Sequence, residues 1–149
     1  MGSLTEELQG QKVYLDVNIF IYALEGVEPW AAILREIFTT LEAGEWRAVT
    51  SNLSVAECLV QPFALGREDL VQLYRAALSP RTYLTIVPLH EEILVSAARL
   101  RAQLQFKLPD ALHIATALDQ GCTAILTNDS GFRKTPGVQC LLLSEWIRE

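Results

Sequence analysis

Four carboxylates stand where a strand-like run meets a helix, or close behind such a junction: Asp16, Glu57, Asp110 and Asp129. An ionised carboxylate only accepts hydrogen bonds, and several brought together raise one another's pKa and destabilise the fold. A divalent cation removes that penalty. Ligation by carboxylate oxygens alone suits a hard ion, Mg²⁺ or Mn²⁺, rather than zinc. Taken singly, each acid also has a plain structural explanation. Asp16 can cap the helix that follows it, and Asp110 can favour the dipole at a helix amino end. Glu57 can complete a Ser54-x-x-Glu57 capping box, although Ser51 or Asn52 is the better cap, and Asp129 can be an ordinary turn residue. What separates the two readings is whether the fold brings all four to one edge.

The elements that must position them read as alternating strands and helices. Lys12–Val17 begins an apolar run, and Ile19–Glu25 continues as a helix. Trp30–Ala43 carries Ala31, Leu34, Ile37, Phe38 and Leu41 on one helical face. Trp46–Thr50 is a second strand. Asn52–Gln61 is a helix stopped by Pro62, and Glu68–Leu78 a helix stopped by Pro80. Thr82–Val87 is a third strand, rich in β-branched and aromatic residues. Glu91–Gln105 is a long helix, and Pro109 opens another over Pro109–Asp119. Thr123–Thr127 and Val138–Leu142 are the fourth and fifth strands. Strands that are continuously apolar and separated by helices predict a three-layer α/β/α fold around a central parallel sheet of four to five strands.

In such sheets ligands bind beyond the carboxyl ends of the strands. Asp16 falls near the end of the first strand and Asp129 just past the fourth. An 11-residue helix is roughly 16 Å long, and a strand of about five residues covers a similar distance. The helix before the fourth strand therefore carries Asp110 back to the edge that holds Asp129. Glu57, one to two turns into its helix, can lean toward the same edge. His113 follows Asp110 by one turn, but its apolar neighbours suit packing or a contact behind the ligands. His90 opens a helix and suits the surface or a cap.

At 149 residues, half of them apolar, the chain fits one globular domain. No apolar run reaches the ~20 residues needed to cross a bilayer. Met1–Lys12 is polar and acidic, lacks the hydrophobic stretch of a secretory signal, and is expected to be a flexible lead-in to a single domain over 13–149. Cys58, Cys122 and Cys140 are odd in number and lack zinc spacing; they read as buried reduced thiols and imply a cytoplasmic protein. The net charge of −6 argues against a nucleic-acid partner at first. Outside the four acids, however, 14 acidic residues face 12 basic ones. Lys107 lies just before Asp110, and Arg133 and Lys134 just after Asp129, so these three could meet a phosphate backbone; a solvated surface is their bland alternative. Trp30, Trp46, Phe63, Tyr74 and Tyr83 are expected in the core, with Trp30 and the Phe63–Arg67 region as an optional groove for a partner helix.

Several segments resemble the PIN-domain ribonucleases, in particular the VapC-type toxins: Tyr14-Leu15-Asp16-Val17-Asn18, Ser54-Val55-Ala56-Glu57, Asp110-Ala111-Leu112-His113-Ile114-Ala115-Thr116-Ala117 and Leu126-Thr127-Asn128-Asp129-Ser130-Gly131-Phe132. Order and spacing cover nearly the whole chain after Lys12, and the last two blocks are the more specific. The resemblance implies an endoribonuclease that hydrolyses phosphodiesters with Mg²⁺ or Mn²⁺, leaving 5′-phosphate and 3′-hydroxyl ends. It assigns the acidic quartet to Asp16, Glu57, Asp110 and Asp129, and supporting polar positions to Asn18 and Thr127. It further implies a homodimer and inhibition by a small antitoxin.

Rivals lack their signatures. A receiver domain needs adjacent acids after the first strand, and a haloacid-dehalogenase-like phosphatase needs Asp-x-Asp where this chain has Asp16-Val17-Asn18. There is no phosphate-binding glycine loop. The alternative that remains is a PIN-like module that binds RNA or protein without cutting.

Overall fold

The structure is a computed structural model that describes residues 2–147. In chain order the elements are α1 (Leu4–Leu8), β1 (Lys12–Leu15), α2 (Val17–Leu24), α3 (Trp30–Glu42), β2 (Arg47–Ser51) and α4 (Asn52–Ala64). They continue as α5 (Glu68–Ala77), β3 (Leu84–Val87), α6 (Glu91–Leu104), α7 (Leu108–Asp119), β4 (Ala124–Thr127) and β5 (Gln139–Leu142). Short 3₁₀ turns follow β4 at Ser130–Lys134 and β5 at Leu143–Trp146.

The five strands form one parallel sheet in the order β3-β2-β1-β4-β5. Side chains alternate across it, as a two-residue period requires. Val13 and Leu15 of β1 enter a core with Ile19, Leu34, Ile37 and Tyr74, contributed by α2, α3 and α5. Tyr14, between them, enters the opposite core with Ile93 of α6 and Ile114 of α7. The sheet is covered on both faces, which is the expected three-layer architecture.

The chain builds outward from β1 in one direction through β2 and β3, then crosses to the other side for β4 and β5. That reversal places a crevice at the carboxyl ends of β1 and β4, where parallel sheets open to ligands. Lys12 begins the sheet by pairing with Arg47, and Leu15 pairs with Leu126 at the crevice end.

Three expectations need correction. Within the lead-in expected over 1–12, residues 4–8 are not a loose tail, because Leu4 and Leu8, four residues apart, are both buried and dock α1 on the core; Ser3 caps this helix. A five-residue helix has little stability of its own, so the burial of those two leucines holds it. Pro62 does not stop α4, which runs on to Ala64. Proline in the last turn forfeits only one intrahelical bond, and the end is closed by Leu65 N–H to the Gln61 carbonyl and Arg67 N–H to the Pro62 carbonyl, both 2.9 Å. Phe63, expected in the core, is 62% exposed on α4 beside Val60 at 66%. Trp46 and Tyr74 are buried as expected, while Trp30 stacks on Tyr22.

Candidate active site

At the crevice, β1 ends at Leu15 and Asp16 becomes the N-cap of α2. Its Oδ1 accepts from the Val17 N–H at 2.8 Å, the capping role open to it from sequence. Its Oδ2 accepts from the hydroxyl of Thr127 at 2.7 Å. Thr127, fully buried at the end of β4, also accepts from the Asp129 N–H at 3.0 Å. One hydroxyl thus ties the acid after β1 to the loop after β4.

That loop is held from several sides. Asp129 Oδ1 accepts from the Gly131 N–H at 2.8 Å, and a Cβ at Gly131 would lie only 3.0 Å from the same oxygen. Asn128 Oδ1 accepts from the Ser144 N–H, and Phe132 is plugged into the core. Asp110 lies in the first turn of α7, which Gly121 turns back into β4 at φ +68°, so the helix returns Asp110 to the Asp129 edge. Its carboxyl sits above the usual carboxylate range. Burial is the main cause, and the charges of Asp129, Asp16 and Glu57 push in the same direction while His113 opposes them. The other three acids thus act on Asp110 through their charge. Asn18 is half-buried in the first turn of α2.

As placed, the carboxylates do not converge on one point. Among the described residues no group of three or more His, Cys, Asp or Glu side chains stands in ligating geometry. The physical reason lies in their partners: Asp16 is turned to Val17 and Thr127, Asp129 to Gly131, and Glu57 to His113. Like charges without a counter-charge also favour separation.

Glu57 is held by a contact that sequence reasoning only half anticipated. His113, 2% exposed on α7, approaches Glu57 Oε1 with Nε2 at 2.5 Å. Its Nδ1 meets the Tyr14 hydroxyl, also at 2.5 Å, and the two rings pack edge-on at 5.7 Å. With both ring nitrogens engaged, His113 is not free to ligate. The sequence shows no sign of this role for Tyr14, which stands in the apolar β1 run and the Tyr14-Leu15-Asp16-Val17-Asn18 motif. Burial holds its hydroxyl far above the usual range, with Thr50 and Ser54 pulling the other way. Thr50 in turn donates to the Leu15 carbonyl and pairs with Ser54 at 2.6 Å.

Of the three basic residues, Lys134 and Lys107 share one region. The Lys134 Nζ lies 4.5 Å over the ring of Phe106, the neighbour of Lys107, and Lys107 is the N-cap of the helix bearing Asp110. Arg133 is exposed but paired with Glu145 at 2.6 Å.

A family model described as the PIN domain matches residues 13–138. The chain belongs to the PIN-domain family. Solved structures share the PIN fold seen in this chain. DNA-bound VapBC from Salmonella typhimurium is 18% identical with a TM-score of 0.71, over 89% of this chain and 98% of that one. A toxin–antitoxin complex from Klebsiella pneumoniae is 27% identical at 0.63, over 85% and 94%. Mycobacterium tuberculosis VapC20, a sarcin–ricin loop cleaving toxin, is 15% identical at 0.67, over 92% and 99%. No curated protein matches the chain. The resemblance to PIN domains that the motifs suggested is thereby borne out, and the VapC structures share the chain's fold. Among the described residues no helix is long and apolar enough to cross a membrane.

Proposed function

We propose that this PIN domain is a metal-dependent endoribonuclease and the toxin of a toxin–antitoxin pair. The reading rests on the PIN-family match and on the Thr127 hydroxyl that ties Asp16 after β1 to the Asp129 backbone after β4, with Asp110 returned toward that edge by α7. Among the described residues no Lys or Arg forms an ion pair with any of the four; only His113 touches one. Uncompensated charge with oxygen donors alone fits a hard divalent cation, Mg²⁺ or Mn²⁺. Asp16, Asp110 and Asp129 would hold it, with Glu57 as a further ligand or the group that orients the attacking water. When bound, the ion would lower the pKa of water and offset charge on the phosphate.

The chain's own residues do the rest. Thr127 fixes the Asp16 carboxylate and the Asp129 backbone together, and Asn18 stands as a polar support on α2. Lys107 and Lys134 would meet the RNA backbone, supplying the phosphate attraction that the net charge of −6 does not. Arg133 would join them on leaving Glu145. In line with the toxin–antitoxin structures that share the fold, the partners would be a second copy of the chain and a small antitoxin, within the cytoplasm.

The purified protein incubated with defined RNAs should cleave them in Mg²⁺ or Mn²⁺, fall silent in EDTA, and lose activity on Asp16→Asn. Cleavage that persists in EDTA or in the Asp16→Asn protein overturns the metal mechanism. RNA or protein binding with no cleavage in any metal would instead mark a non-catalytic PIN-like module.

A further inference from the structure

Glu57 lies on α4, His113 on α7 and Tyr14 on β1, and two hydrogen bonds of 2.5 Å join them in a line. A carboxylate has no proton to give, so the His113–Glu57 bond requires a proton on Nε2. Nδ1 of the same ring faces the Tyr14 hydroxyl, so the imidazole is held at both nitrogens. Both Tyr14 and His113 are almost fully buried, so the arrangement is shielded from competition by water. The line consumes one carboxylate oxygen only: among the described residues no protein donor reaches Oε2 of Glu57. The result is a carboxylate anchored through one oxygen, with the second left without a protein donor among the described residues.

We propose that His113, itself held by the Tyr14 hydroxyl, is a positioning residue for Glu57 that fixes the place of its carboxylate through Nε2–H. This deepens the nuclease reading and rests on it for its catalytic consequence, whereas the Nε2–H bond to Glu57 stands by itself. Groups that orient a metal-site ligand from behind change affinity or activity by roughly 10–100-fold when removed.

Long-range ¹H–¹⁵N NMR on the full-length, metal-free protein tests the arrangement directly, with the signal of His113 assigned by its loss in His113→Gln. The expected result is a proton on Nε2 that exchanges slowly in the parent and quickly in Glu57→Ala. A ring with no proton on Nε2, or exchange indifferent to Glu57→Ala, overturns the proposal even if the parent cleaves RNA. In kinetics below the melting range, Tyr14→Phe and His113→Leu should lower kcat about 10–100-fold with KM for RNA unchanged, and His113→Gln, which keeps an N–H donor, should recover part of the loss. Calorimetric Mn²⁺ binding to the same variants reports whether Glu57 is misplaced without involving turnover. Parental kcat and parental Mn²⁺ affinity in both Tyr14→Phe and His113→Leu overturn the positioning role. A parent that shows the slowly exchanging Nε2 proton but never cleaves RNA sinks the nuclease reading and leaves the positioning of Glu57 standing.

Discussion

Thr127→Val is the sharpest perturbation of the crevice, because valine keeps the shape of threonine and removes only its hydroxyl. In the parent that hydroxyl donates to the buried Asp16 carboxylate at 2.7 Å and accepts from the Asp129 N–H at 3.0 Å. A hydrogen bond to a charged group contributes about 1.5–3 kcal/mol and a neutral one about 0.5–1.5 kcal/mol. Asp16 is only 8% exposed, so water cannot readily replace the lost donor, and the expected cost is about 2–4 kcal/mol. A domain of this size has about 5–15 kcal/mol to lose, so the variant should still fold. With a urea slope of about 2 kcal/mol per molar, the unfolding midpoint should drop by about 1–2 M at unchanged slope. Tryptophan fluorescence is a suitable probe, since Trp46 is buried and bonded through Nε1 to Thr40 Oγ1 at 2.9 Å. Thr127→Ser, which keeps the hydroxyl and loses a methyl, is the control and should stay much nearer the parent. A valine variant as stable as the serine variant would show that the hydroxyl bridge carries no appreciable energy, and the account of how Asp16 is fixed would be wrong.

Asp110→Asn should make the metal-free protein more stable at neutral pH and remove any stabilisation by Mn²⁺. The folded carboxyl titrates above its unfolded value, so the native state binds more protons than the unfolded one between the two. Parental stability should therefore fall as pH rises through that window, and thermal melts from pH 4 to 7 should show the fall weakened in the variant. Leu8→Ala should cost about 2–5 kcal/mol in urea unfolding, because Leu8 is fully buried; a change below about 0.5 kcal/mol would mean that α1 is not part of the fold. Burial pushes the thiol of Cys58 up to about 12 and those of Cys122 and Cys140 to about 11. Cys58 and Cys122 are buried and Cys140 half-buried, so iodoacetamide at pH 8 should modify Cys58 and Cys122 far more slowly in the folded protein than in the urea-unfolded one, and equal rates would contradict the burial of those two.

Much of this fold is written in short-range patterns. Continuous apolar runs such as Ala124–Thr127 and helical faces such as Ala31, Leu34, Ile37 and Leu41 announce a parallel sheet with helices on both sides. Because strand ends define the crevice, the edge occupied by Asp16, Asp110 and Asp129 could be deduced from element lengths. What stayed hidden depends on contacts between distant segments. Leu4 and Leu8 form a pair too short to register as a helix until α1 docks. Pro62 looked like a terminator because the bonds that close α4 are invisible in sequence. Phe63 has the composition of a core residue, and only the packing of α4 turns it to solvent. The Tyr14–His113–Glu57 line joins three elements, and only the one-turn spacing of Asp110 and His113 hinted at it. Nor could sequence show that each carboxylate would be drawn toward its own donor.

The placement of β1 between β2 and β4 has a consequence for synthesis. Asp16 leaves the ribosome 111 residues before the Thr127 hydroxyl that fixes it. No nascent fragment that stops short of β4 can assemble the crevice. Under the proposed nuclease reading, folding order would withhold activity until β4 is made, with no inhibitor needed to impose that delay.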